Sequence, residues 1–129
     1  MIVCKLEILF LYLKRIFTKF KKMAVRSTEE IKDIVREYCR TLVAAGILLD
    51  KAILFGSYAN SKQREYRDID IAVFLKKYKN DRFEARLELL KHTRKFNVIL
   101  EPHPFLSSDF DETDPFIEEI KKTGVVLYS

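Results

Sequence analysis

Asp68-Ile69-Asp70-Ile71 sets two carboxylates two residues apart at the head of an otherwise apolar run, Ile69 to Leu75. The run is short enough to favour a buried strand over a helix. In a strand, residues i and i+2 point to the same face, so the two charges stand side by side and repel. A divalent cation between them relieves the repulsion, and donors that are all oxygen suit Mg²⁺ or Mn²⁺ rather than zinc. The bland alternative is a strand end where both aspartates meet solvent or pair with Arg64, Arg67 or Lys62. The pair alone leaves both readings open.

Upstream, Lys51 to Phe55 is a second short apolar run, ended by Gly56. Glycine directly after a buried strand lets the backbone turn sharply and approach a ligand closely. Ser57 would then open a short helix, whose free N–H groups favour phosphate oxygens. A strand-Gly-Ser turn by itself is common. A phosphate-sized turn beside a metal-ready carboxylate pair, at the ends of neighbouring strands, fits a nucleoside triphosphate with its metal.

The remaining elements follow from periodicity and caps. Ser27 and Glu30 have the spacing of a capping box. Ile31, Ile34, Val35, Tyr38, Leu42 and Ala45 follow at helical spacing, with Gly46 as the stop. Phe83, Leu87 and Leu90 predict a helix over roughly 81–94 with those residues inward. Phe96 to Leu100 is a third strand candidate, stopped by Pro102. Asp114-Pro115 opens a last helix that ends at Lys121-Lys122 before Gly124, and Val125 to Tyr128 closes the chain as a strand. The expected order α-β-α-β-α-β-α-β describes an α/β protein, a mixed sheet flanked by helices. With 129 residues there is room for one such domain and a short appendage.

The net charge of +5 is confined to that appendage. Residues 1–22 hold six cations and one anion, whereas residues 23–129 hold 18 of each. The body therefore offers no broad surface for nucleic acid. Within the appendage, Ile2, Leu6, Leu9, Leu13, Ile16 and Phe20 fall at helical spacing. The longest uncharged run at its centre, Ile8 to Leu13, is six residues, against the ~20 needed to span a bilayer. Three readings stand: a basic amphipathic helix that docks on the body or a partner, one that lies on a membrane surface, or a segment upstream of a true start at Met23. Two cysteines, Cys4 and Cys39, make no disulfide framework and no zinc spacing. The chain reads as reduced and cytoplasmic.

Phe55-Gly56-Ser57, a gap of ten residues and then Asp68-Ile69-Asp70-Ile71 resembles the signature of the DNA polymerase beta-like nucleotidyltransferase superfamily. Its minimal nucleotidyltransferase group is the nearest pattern, matched at Gly56, Ser57, Ala59, Asp68, Ile69 and Asp70. The resemblance implies that Gly56 and Ser57 hold the outer phosphates of a nucleoside triphosphate, expected to be ATP. It implies that Asp68 and Asp70 bind two Mg²⁺ ions. It also calls for a third carboxylate on a later strand. Glu101 is the candidate, as general base or third metal ligand, against the reading of an ordinary strand-end glutamate. His103, between Pro102 and Pro104, either touches substrate or is structural, and His92 is a surface residue. Asn60, Ser61 and Arg67 depart from the group's usual basic residue, glycine and serine, and that bears on activity more than on fold.

The implied product is a nucleoside monophosphate joined to an acceptor. The chain ends 28 residues after Glu101, whereas larger relatives carry a helical substrate domain. Minimal members are similar to antitoxins paired, as hetero-oligomers, with a helical HEPN ribonuclease toxin whose tyrosine they nucleotidylate. The alternatives are a non-catalytic antitoxin acting by occlusion and a stand-alone enzyme with a small-molecule acceptor.

Overall fold

Ser27 caps the first helix, its hydroxyl oxygen accepting the Glu30 N–H at 3.2 Å. The fold is taken from a computed structural model, which describes Leu13 and residues 27–56, 68–111 and 114–129. The readings of the N-terminal segment and of Met23 lie outside the described residues. Helix α1 spans Thr28–Ala44 and buries Ile31, Val35, Tyr38, Cys39 and Leu42, one apolar stripe at helical steps. Gly46 takes a left-handed φ of 85°, and the Gly46 and Ile47 N–H groups bond the Val43 and Leu42 carbonyls at 3.0 and 3.1 Å. The helix ends where glycine permits it.

The chain then runs through β1 (Leu49–Phe55), β2 (Ile69–Leu75), α2 (Arg82–Lys91), β3 (Leu100–Leu106), a 3₁₀ turn (Ser107–Asp111), α3 (Pro115–Thr123) and β4 (Val125–Tyr128). The four strands form one mixed sheet in the order β3-β2-β1-β4. β2 is antiparallel to β1 and parallel to β3, and β4 pairs antiparallel with β1. The helix expected after Gly56-Ser57 falls on residues outside the described set.

Two apolar clusters cover the two faces. The larger joins α1 to Ala52, Leu54, Ile69, Ile71, Val73, Leu75, Leu89, Phe96 and Val98. The smaller joins Ile53, Ala72, Phe74 and Phe105 to Ile117 and Ile120 of α3. Alternate residues of β2 thus serve opposite faces, as a pleated strand requires. Cys39 lies inside the larger cluster, where burial pushes its thiol up to about 12, leaving it protonated and inert.

Two expectations are corrected. Helix α2 buries Leu89 and packs Ala85 on the core, while Phe83 and Leu87 face outward, 70% and 51% exposed. The helix lies along β3 with Arg82 Nε donating to the Pro104 carbonyl at 3.0 Å, and Tyr38 donates its hydroxyl to the Leu89 carbonyl at 2.7 Å. These anchors, not the apolar stripe, set its rotation. The third strand begins at Leu100, where it was expected to end, and continues through both prolines. β3 is an edge strand. Pro102 and Pro104 fall in the alternate register whose main chain faces outward, as the Arg82 bond to the Pro104 carbonyl shows. The missing proline N–H groups therefore cost no ladder bonds.

Candidate active site

Register brings the functional side chains together. Phe55 lies opposite Asp70 in the β1–β2 ladder, and Asp70 opposite Glu101 in the β2–β3 ladder. The end of β1 and the beginnings of β2 and β3 therefore meet at one end of the sheet. Asp70, Ala72 and Phe74 share the α3 face, and their β3 partners Glu101, His103 and Phe105 share it with them. α3 covers the Phe74–Phe105 end and leaves Asp70, Glu101 and His103 half-buried.

Gly56 closes the site from the β1 side. Its φ is +79°, and a Cβ built there would stand 2.8 Å from Asp70 Oδ2. Glycine is required twice, by the backbone angle and by the close approach to the carboxylate. Ser57, Asn60, Ser61 and Arg67 lie outside the described residues.

Three donors converge beyond that turn. One ligand atom each from Asp70, Glu101 and His103 falls within a 4.8 Å span. His103 Nε2 is 3.1 Å from Asp70 Oδ1. Asp68 sits just before β2, exposed and outside this three-atom group, but near enough for its negative charge to act on Glu101. Arg86 from α2 approaches Glu101 to 4.0 Å. Burial, then the negative charge of Asp70 and the contact with Asp68, raise the Glu101 carboxyl above the usual glutamate range, with His103 opposing. Repulsion among carboxylates at this spacing is the electrostatic demand that a cation satisfies. A rim of rings borders the cluster: Phe55 lies 5.3 Å from the His103 ring, and Phe116, 48% exposed, packs edge-on to Phe55 at 5.7 Å. A cavity of about 530 Å³, lined by Gly46, Leu48, Leu75, Tyr78 and Leu89 among others, opens at the far end of the sheet and holds none of these groups.

A family model described as polymerase beta, nucleotidyltransferase matches residues 29–129. The chain belongs to that nucleotidyltransferase family. Two solved structures share its fold at a TM-score of 0.50 and 21% identity. One is described as a nucleotidyltransferase from Sulfolobus solfataricus, covering 84% of this chain and 85% of that one. The other is a toxin–antitoxin structure with AMP-PNP, covering 73% of each chain. A comparison with curated proteins found no match.

In this nucleotidyltransferase, the structure places Gly56, Asp70 and Glu101 in one cluster, with Asp68 at its margin. His103 is the member that sequence reasoning did not assign. The signal was available in Glu101-Pro102-His103-Pro104, where a strand carried through the prolines puts both ligand types on one face. Reading Pro102 as a stop hid it. No helix among the described residues is long and apolar enough to cross a membrane.

Proposed function

We propose that this chain moves a nucleoside monophosphate from a nucleoside triphosphate, ATP, to a hydroxyl of a partner protein, and so acts as the antitoxin of a helical HEPN-type toxin. The observation that carries the reading is the meeting of Asp70 and Glu101 beside the left-handed Gly56, with Asp68 at the margin of the pair. The donor set fits a divalent cation: converging carboxylates, within reach of one ion, with the Glu101 proton affinity raised by its neighbours. Asp68, Asp70 and Glu101 would hold Mg²⁺, which supplies charge neutralisation at the reacting phosphate.

The chain's own residues do the rest. Gly56 permits close approach of the phosphates, and Ser57, next in the chain, is the residue assigned to the outer ones. Glu101 accepts the proton of the acceptor hydroxyl, as a half-buried carboxylate beside the reacting phosphate can. The acceptor oxygen bonds to the α-phosphorus, the bond to the bridging oxygen breaks, and pyrophosphate leaves. The Phe55–Phe116 rim offers an apolar face to a base or to the acceptor. A partner protein as acceptor is supported by the likeness to the toxin–antitoxin structure with AMP-PNP.

Incubation with ATP, Mg²⁺ and a helical HEPN-type protein, where one is encoded beside it, should raise that protein's mass by one or more nucleoside monophosphates. Glu101→Gln should slow transfer far more than it weakens ATP binding, because a general base acts in the transition state. A partner that binds tightly but keeps its mass with every nucleotide refutes transfer and leaves occlusion as the mode of action. Transfer to a small hydroxyl compound without any partner refutes the protein acceptor.

A further inference from the structure

We propose that His103 is a metal ligand and that its nitrogen tunes the site toward Mn²⁺ over Mg²⁺; this rests on the reading of Asp70 and Glu101 as metal-binding. The ring nitrogen Nε2 lies 3.1 Å from Asp70 Oδ1. Two ligands at right angles around an ion with bonds of about 2.1 Å stand about 3 Å apart, and opposite ones about 4.2 Å. The Asp70–His103 separation matches the first spacing. The Glu101 carboxylate lies within 4.8 Å of both, in reach of the same ion.

The backbone around these donors is preorganised. Glu101 and His103 each precede a proline, and the residue before proline is confined to extended conformations. Pro102 and Pro104 are themselves buried, so the strand bearing both ligands is held from the opposite face. Ligands on a rigid strand keep their geometry before the ion arrives. The Phe55 ring at 5.3 Å packs beside the imidazole. Nothing in this arrangement resembles a solvated surface histidine; the ring is 24% exposed and its nitrogen faces a carboxylate.

Donor chemistry sets the preference. Carboxylates alone suit Mg²⁺, Ca²⁺ and Mn²⁺, whereas imidazole favours the transition metals. One imidazole added to two carboxylates therefore raises affinity for Mn²⁺ relative to Mg²⁺, which prefers oxygen donors alone.

Mn²⁺ itself is the probe. Pulsed electron paramagnetic resonance of the full chain with one equivalent of Mn²⁺ should show coupling to a ¹⁴N nucleus, and His103→Gln should abolish it. Calorimetric titration should show Mn²⁺ affinity falling about tenfold in His103→Gln, with Mg²⁺ affinity changing less than about twofold. Persistence of the nitrogen coupling in His103→Gln, or its absence from the wild type, overturns the proposal. If Asp70→Asn still abolishes Mn²⁺ binding in that case, the carboxylate site stands and His103 only orients Asp70. If Asp70→Asn leaves Mn²⁺ binding intact, the carboxylate reading and the proposal fall together.

Discussion

The two faces of the sheet are built from the same strands and do opposite work. On the α1 side, Ile69, Ile71, Val73 and Leu75 of β2 run unbroken into the larger apolar cluster. On the α3 side, Phe74 and Ala72 belong to the smaller cluster, and the next residue in that register is Asp70. On that face Asp70, Glu101 and His103 are half-buried among the described residues, where their counterparts on the α1 face are fully buried. A two-residue period thus lets one strand carry a core and a reaction centre without either intruding on the other. Stability should reside on the first face and chemistry on the second.

Exchanging one residue on each face tests that division. Ile71→Ala removes a fully buried side chain and should cost about 3 kcal/mol in urea unfolding. Its neighbour Asp70→Asn should stay within about 1 kcal/mol of the wild type. It should nevertheless slow nucleotidyl transfer about 1000-fold and cancel the thermal stabilisation by Mg-ATP. A stable Ile71→Ala variant, or an Asp70→Asn variant that retains the response to Mg-ATP, breaks the comparison.

Gly56 is where the two duties meet, so its replacement should affect both. Gly56→Ala forces a side chain into a left-handed φ and toward Asp70 Oδ2. The expected loss is roughly 2 kcal/mol in thermal unfolding. Adding Asp70→Ala removes the crowded oxygen, so the double variant should recover part of that loss. Strict additivity would show that backbone strain alone matters.

The smallest effect has the opposite sign. A folded-state carboxyl pKa that lies above its unfolded value lends stability at low pH that is lost as pH rises through the folded value. Glu101 is such a group. The metal-free wild type should therefore lose stability as pH climbs from about 4 through that raised value, and Glu101→Gln should lack this slope. With the side chain 34% exposed, the gain at neutral pH is modest. It should appear as roughly 2 °C in the melting temperature. Added Mn²⁺ should reverse the order of the two proteins. A variant less stable than the wild type without metal would show that Glu101 is not under electrostatic load.

Much of this was legible in the chain because it is local. The N-cap at Ser27, the stop at Gly46, the Asp114-Pro115 start and the Ile69–Leu75 strand each depend on a few consecutive residues, and each appears where expected. The face of α2 was not legible. Phe83, Leu87 and Leu90 gave a periodic stripe, but Tyr38, 51 residues distant, and the Pro104 carbonyl turn the helix the other way.

By itself, the sequence determined that Asp70 enters one strand with Asp68 just ahead of it and that Gly56 follows another. These follow from spacing along a single chain, whereas Glu101 was named because the family resemblance calls for a third carboxylate. Only the tertiary structure decided that β3 would lie parallel beside β2 in the register that sets Glu101 against Asp70. Only it decided that an edge position would let the strand pass through Pro102 and Pro104 and deliver His103 to the same carboxylate. Strand order and register arise from the burial of both sheet faces at once, and a one-residue slip would send Glu101 and His103 into the α1 core. The local string Glu101-Pro102-His103-Pro104 puts both side chains on one face of a strand, but which strand that face meets, and in which register, is set by the packing of the whole sheet.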